Sequence, residues 1–129
     1  MKVESGLFLQ KAHEFLGKAD ELLNRNRWPD EAGRAAYFAG FHAAQALLFE
    51  KLGRSPKTHS GVPTRFADLA RNEPAIDLEL RAFLGQTYNL KAIADYESGP
   101  DAKVTDKQAA QAIVTAQRFV AAIEALLRS

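Results

Sequence analysis

The stretch YNLKAIADY, residues 88–96, sets charged and phenolic side chains in an apolar, helix-forming run. Lys91 and Asp95 are four residues apart, so a helix places one above the other. At 100° per residue, Lys91 falls between Thr87 and Leu84, inside the apolar side of the helix. Lysine before aspartate is the weaker order for a helical ion pair, and an aspartate in the last turn opposes the helix dipole. These two costs favour a further partner or a function for the pair. The simpler alternative is an ion pair at the edge of the core.

Arg34 is a second charged residue on an apolar helical face. It shares that face with Tyr37, Phe41, Gln45 and Leu48. Buried charges are usually paired, and Asp95 is a candidate acceptor because neighbouring helices of a bundle place such residues opposite each other. The alternative is that Arg34 reaches out to solvent from the first turn of its helix.

The histidines are scattered and form no metal-binding pattern. We expect His13 on the surface and His42 packed within an apolar helix. His59 lies in a polar loop, where it could act as an acid or base or could only fix a turn. HExxH and Glu-x-x-His spacings are missing, and the absence of cysteine excludes thiolate ligands. We therefore expect neither a metal nor a cofactor.

Helical periodicity along the whole chain predicts one all-α domain, residues 1–129. The predicted fold is an up-down four-helix bundle with one short extra helix between the second and third long helices. The second helix should follow Pro29 and end near Gly53, and it is apolar or small on nearly every side. Within it, Gly40 indicates that another helix approaches closely.

The remaining helices are bounded by their own signals. A short helix should span about Pro63 to Arg71, and the next about Ile76 to Tyr96. The latter should end near Ser98, before Gly99 and Pro100. Thr105 and Gln108 match a capping box that starts the last helix.

The composition is that of an ordinary globular protein. Of 129 residues, 47% are hydrophobic and 26% charged, and the net charge of +1 gives no strong field toward nucleic acid or membrane. Any RNA contact must therefore come from a local patch. The N-terminus becomes charged too early for a signal peptide, and no apolar run approaches the length of a membrane span. We expect a cytoplasmic protein without a membrane partner.

Three blocks of the sequence resemble the HEPN family of small helical bundles, in its stand-alone bacterial and archaeal subgroup. They are RAAYFAGFHAAQALL (34–48), KTHSGV (57–62) and YNLKAIADY (88–96). The resemblance covers about residues 5–128, with the blocks in the family's order and spacing. It implies a homodimer and, in many members, the toxin half of a toxin–antitoxin pair encoded beside a minimal nucleotidyltransferase. It also implies a metal-independent RNase that uses an R-x(4–6)-H motif late in the bundle.

The catalytic motif of the family is altered in this chain. By the resemblance, Lys91 stands at the motif arginine and Tyr96 at the nearest position of the motif histidine. Lysine keeps the charge but loses bidentate phosphate geometry, and tyrosine is a poor base at neutral pH. Ser98 stands where some family members carry a tyrosine that the partner adenylylates, so that modification is not implied. Whether the protein is an enzyme therefore stays open.

The first hypothesis is a dimeric module that binds a nucleotide or RNA and acts with a nucleotidyltransferase antitoxin. Its predicted ligand-binding residues are Arg34, Tyr37, Tyr88, Lys91, Asp95 and Tyr96. Lys91 would hold phosphate, Asp95 would order Lys91 or Arg34, and Tyr96 would stack or hydrogen-bond. We also expect Lys91→Ala to weaken ligand binding at little cost in stability.

Two alternatives belong to other functional classes. One is an RNase toxin with Lys91, Asp95 and Tyr96 as candidate catalytic groups, which recruits His59 or His42. The other is a structural subunit without a ligand site.

Overall fold

The computed structural model describes residues 1–96, except the side chain of Tyr96, and residues 103–129. This part of the chain forms five α-helices and contains no strand. They are α1 (Val3–Asn24), α2 (Pro29–Leu52), α3 (Gly61–Ala70), α4 (Leu78–Tyr96) and α5 (Asp106–Arg128). The all-α prediction is confirmed. The predicted end of α4 near Ser98, with Gly99 and Pro100, lies outside the described residues.

The helix ends that carry strong sequence signals lie where they were predicted. α2 begins at Pro29 and stops before Gly53, which has a φ of 76° and so takes the left-handed conformation that favours glycine. At the start of α5, the Thr105 hydroxyl accepts a hydrogen bond from the Gln108 N–H, and the Gln108 side chain accepts one from the Thr105 N–H. The predicted capping box is therefore confirmed.

The two helices with weaker signals are shifted by about two residues at their starts. α3 covers Gly61–Ala70 instead of the predicted 63–71. α4 begins at Leu78 because Asp77 caps it, with Oδ1 accepting a hydrogen bond of 2.9 Å from the Leu80 N–H. These shifts leave the element order unchanged.

α2 is the central helix and packs against α1, α3, α4 and α5. From Ala32 to Leu48 every residue is buried except Arg34, Phe38 and His42, which are partly exposed. These three lie four residues apart and form one row along the helix. The prediction of a buried second helix is confirmed, and this row is its one accessible line.

The approach of α2 to α4 depends on Gly40. A Cβ added there would lie 2.3 Å from Cε2 of Phe83, whose ring is buried in the core. No side chain fits between the two helices at this point, which confirms the predicted close approach. A Cβ at Gly33 would also lie 3.5 Å from Leu90, so the first half of α2 lies beside the second half of α4.

α5 is, among the described helices, the one that is long and apolar enough to cross a membrane, judged by length and composition only. Between Lys107 and Arg128 only Arg118 and Glu124 are charged. The expectation that no apolar run approaches a span is therefore wrong for the composition of α5. Its buried residues form a core face, and Arg118 on the other face pairs with two carboxylates of the α4 start. The absence of a membrane partner stays a prediction.

We predict that Gly40→Ala destabilises the fold. The clash with Phe83 should cost about 1 to 3 kcal/mol, against about 1 kcal/mol gained in helix propensity. Gly17→Ala in α1 is the matched control, because its Cβ would meet nothing within 4 Å and it should stabilise. Urea unfolding measures both. A Gly40→Ala variant that gains as much stability as Gly17→Ala would refute the close contact.

Candidate functional site

Side chains from three separate parts of the chain meet beside the first half of α2. We call this group the His59 cluster. Its members are Arg34 and Tyr37 of α2, His59 of the loop between α2 and α3, and Tyr88, Lys91 and Asp95 of α4.

One carboxylate joins the two cations of the cluster. Lys91 Nζ donates a hydrogen bond of 2.5 Å to Asp95 Oδ2, and Arg34 Nε lies 2.9 Å from Asp95 Oδ1. The second contact is an ion pair without the alignment of a hydrogen bond. The hydrogen bond from Lys91 holds the pKa of Asp95 below its usual range, helped by the charges of Arg34 and Lys91 and opposed by burial. The predicted contact between Arg34 and Asp95 is thus confirmed.

The three charged side chains differ in their access to solvent. The Lys91 side chain is 7% exposed, that of Asp95 is 19% exposed and that of Arg34 is 40% exposed. Arg34 therefore pairs with Asp95 and still reaches water, so both alternatives for this residue describe part of its position. Arg34 and Lys91 also lie over the ring of Phe38, at 5.2 and 5.9 Å from its centre.

A buried tyrosine holds the histidine of the cluster. Tyr37 is fully buried, and its hydroxyl lies 2.7 Å from His59 Nδ1. Burial, with a contribution from Tyr88, raises the pKa of Tyr37, so its hydroxyl stays protonated and can donate to a neutral imidazole. In the other tautomer Nδ1–H donates to the Tyr37 oxygen, which leaves the Nε2 lone pair of His59 free to accept a proton. Its ring also packs against Phe41 and Tyr88, with centres 5.2 and 5.9 Å apart.

The loop around His59 is held by its neighbours. Gln45 Nε2 of α2 donates to the carbonyl of Pro56, and Thr58 Oγ1 accepts from the N–H of Gly61. A Cβ at Gly61 would lie 2.7 Å from Thr58 Oγ1 and 2.9 Å from Pro56 Cβ, so glycine is needed there. The threonine and glycine of KTHSGV therefore shape the loop, in which His59 is exposed to solvent.

The charge state of His59 suits proton transfer. Burial of the ring lowers its pKa, the charge of Lys91 lowers it further, and Asp95 opposes this shift. These shifts favour the neutral form of His59 at pH 7, beside the Lys91 ammonium and the Asp95 carboxylate. A neutral imidazole can accept a proton while lysine and arginine hold phosphate.

Comparison with known proteins decides the family. The HEPN domain model matches residues 6–126. The chain belongs to the HEPN family. It is 33% identical over 128 residues to a Methanocaldococcus jannaschii protein named Putative toxin MJ0605, across 99% of this chain and 92% of the relative. It is also 32% identical over 97 residues to Putative toxin MJ0142 of the same archaeon, across 75% of this chain and 65% of the relative.

The three blocks that resemble HEPN proteins converge on the cluster. Arg34 and Tyr37 come from the first block, His59 from the second, and Lys91 and Asp95 from the third. Sequence reasoning left His59 as a loop histidine without a known neighbour. The THSG block was the signal that could have placed it, but its contact with Tyr37 is a tertiary one, across 22 residues.

Two other predicted candidates have different positions. His42 Nδ1 lies 2.8 Å from Gln45 Oε1, and its ring stacks on Phe15 of α1, so it is a packed histidine as predicted. Burial lowers its pKa. Tyr96 is the last residue of α4, and its side chain lies outside the described residues.

One cavity of the described residues lies apart from the cluster, between α4 and α5. This cavity, of about 340 Å³, has Lys107 as its one charged lining residue and shares no residue with the cluster. Within the described residues, no three His, Asp or Glu side chains gather as a metal site. His59, Arg34 and Tyr88 are the members of the cluster with the most solvent-accessible side chains, and Tyr37 and Lys91 are buried.

We predict that Asp95→Ala destabilises the protein by about 1 to 3 kcal/mol, because it removes the carboxylate that Lys91 and Arg34 share. Asp68→Ala is the control: its ion pair with Arg71 is exposed and should contribute less than about 1 kcal/mol. Chemical unfolding at pH 7 gives both values.

The loss of stability caused by Asp95→Ala should also depend on pH. Because the folded pKa of Asp95 is lowered, its stabilisation is present above the unfolded pKa of about 3.9 and disappears as the pH falls through the folded value. The difference between wild type and Asp95→Ala should therefore shrink below about pH 4. A difference that stays constant down to pH 2 would contradict this origin.

Proposed function

We propose that this HEPN protein is the toxin component of a toxin–antitoxin pair and binds the phosphate of RNA or of a nucleotide at the His59 cluster. The observation that carries the proposal is the grouping of Lys91 and Arg34 around the accessible imidazole of His59. The toxin names of the two archaeal relatives support the biological role.

Arg34 compensates for a change in the family motif. Lys91, at the position of the motif arginine, offers a point charge and no bidentate fork. Arg34 brings a guanidinium from α2 to the same carboxylate, at 2.9 Å from Asp95. The cluster thus holds one lysine and one arginine, and Asp95 keeps the two cations together. Tyr88, 38% exposed, offers a ring on which a base can stack, and we assign Tyr96 a similar role at the end of α4.

The proposal includes an assembly. We assign the chain a homodimer in which α4 contributes to the interface, so that two clusters line one groove, and a minimal nucleotidyltransferase as antitoxin. The solvent accessibility of His59 and Arg34 and the membership of the HEPN family support this assembly. Light scattering that returns the mass of a single 14.2 kDa chain would contradict the dimer. A cytoplasmic location belongs to the same proposal.

The up-down arrangement of the four long helices is likewise proposed. α1 and α2 are joined by the short connection 25–28 and pack on each other, which favours an antiparallel pair.

We predict that Lys91→Met weakens RNA binding roughly tenfold, a loss of about 1.4 kcal/mol in binding free energy. Methionine keeps the apolar stem of a side chain that is 5% exposed at the residue level, whereas Lys91→Ala would also remove buried packing. Lys18→Met, an exposed lysine on α1, is the charge-matched control and should bind as wild type. Fluorescence anisotropy with single-stranded RNA measures all three proteins. Unchanged binding by Lys91→Met would refute the site.

A second candidate function is metal-independent RNA cleavage, which the neutral state and position of His59 favour. The RNA 2′-oxygen would form a bond to phosphorus as the bond from phosphorus to the 5′-oxygen breaks. His59 Nε2, which is free when Nδ1–H donates to Tyr37, would take the proton of the 2′-hydroxyl, and the leaving 5′-oxygen would take a proton from water. Lys91 and Arg34 would stabilise the charge on phosphate.

We predict that His59→Gln abolishes such cleavage but retains RNA binding within about threefold, because the cations remain. His13→Gln, at an exposed histidine bound to Glu124, should cleave as wild type. Gel analysis of RNA fragments in the presence of a chelator gives the result. Full cleavage by His59→Gln would exclude this residue as the base. A wild-type protein that binds RNA without cleaving it would refute the cleavage function and leave RNA binding as the proposed function.

A further inference from the structure

One segment of the chain concentrates positive charge. Residues 51–67 contain four basic residues and no Asp or Glu, while the rest of the chain carries the other 13 basic residues and all 16 acidic ones. The four are Lys51, Arg54, Lys57 and Arg65. The small net charge of the protein therefore conceals a basic segment, and His59 lies within it.

Part of this segment lines a groove at the end of α2. Leu52, Arg54, Ser55, Pro56 and Arg65 enclose about 540 Å³. Both arginines are exposed, and within the described residues neither takes part in an ion pair.

Some other arginines of the protein are neutralised by local carboxylates, whereas Arg25, Arg27 and Arg81 take part in no ion pair within the described residues. Arg71 pairs with Asp68, and Arg118 pairs with Asp77 and Glu79. The two arginines of the groove have no acidic residue in their own segment, so an anion from outside the chain is the partner that their charge favours.

The groove and the His59 cluster are connected by the loop between α2 and α3. This loop runs back along α2, since Pro56 bonds to Gln45 and His59 to Tyr37. The two contact points on α2 are eight residues apart, or about 12 Å at 1.5 Å per residue. A single RNA strand a few nucleotides long can span that length.

We propose that the groove of Arg54 and Arg65 is a second phosphate-binding subsite, which holds the same RNA strand whose phosphate lies at the His59 cluster. The inference rests on the proposed function and extends it: the ligand is single-stranded RNA longer than the cluster alone accommodates. Arg54 and Arg65 contact the backbone and carry no base specificity.

Two RNA probes and four variants test the subsite. One probe of about 10 nucleotides reaches from the cluster to the groove, and the other, a single nucleotide with its phosphate, fills only the cluster. The variants are Arg54→Gln, Arg65→Gln, Lys91→Met and the control Arg71→Gln, which removes the same charge close by but lies outside the groove. Anisotropy over a salt series gives affinity and salt dependence.

Arg54→Gln and Arg65→Gln should each weaken binding of the long probe roughly three- to tenfold and lower the slope of log K against log salt by about 0.7 per contact. The affinity for the short probe should be the same in wild type, Arg54→Gln, Arg65→Gln and Arg71→Gln. Lys91→Met should lower the affinity for both probes.

Each contrary result has a distinct meaning. Unchanged binding of the long probe by both groove variants, with a loss for Lys91→Met, would overturn the subsite and leave the proposed function. An equal loss for Arg71→Gln would show a general charge effect and overturn it too. If Arg54→Gln and Arg65→Gln weakened the short probe as much as the long one, the groove would not be a subsite separate from the His59 cluster. A wild-type protein that binds neither probe would overturn both proposals.

Discussion

The contact between α2 and α4 at Gly40 and Phe83 is the constraint on which the site depends. A Cβ at Gly40 would stand 2.3 Å from the Phe83 ring, so the two helices approach as closely as their backbones and one ring permit. Seven residues separate Phe83 from Leu90 on α4, and seven separate Gly33 from Gly40 on α2, where a Cβ at Gly33 would be 3.5 Å from Leu90. The helices thus stay close over two turns and bring Arg34 to Asp95.

The charged side chains at this junction compensate each other electrostatically. A lysine with 7% of its side chain exposed needs a carboxylate, and an aspartate in the last turn of a helix needs cations to offset the dipole. Arg34 supplies the second cation from the neighbouring helix, although its own side chain remains 40% exposed. Glu31 Oε2 also lies 3.9 Å from Arg34 Nη1, so two cations and two carboxylates meet at this junction.

The His59 cluster contains groups that are held by hydrogen bonds within the protein and groups that are accessible to solvent. Tyr37 is buried, protonated and bonded to His59, and Gln45 and Thr58 hold the loop. The imidazole of His59 and the guanidinium of Arg34 are accessible to solvent, whereas the Lys91 side chain is 7% exposed. A site of this kind needs little rearrangement to meet a ligand, because its supporting hydrogen bonds already exist.

Local sequence signals determined the helices. Pro29, the Thr105–Gln108 box and the small residues along α2 are each read within a few neighbouring residues, and the structure has a helix end or a buried face at each. The sequence predicted that α4 starts at about Ile76, but it begins at Leu78, because the Asp77 carboxylate caps the helix after this apolar residue. The Lys91–Asp95 pair was also visible from its spacing, and the charge of Arg34 indicated a partner.

Only the tertiary structure decided the place of His59. Nothing within the loop indicates which helix it contacts, because the bond to Tyr37 joins residues 22 positions apart and depends on how the loop runs back along α2. The same holds for the groove of Arg54 and Arg65, which are 11 positions apart in the chain and line one surface because α3 folds against the end of α2. Residue types determined what chemistry was possible, whereas packing between helices decided which side chains share a site.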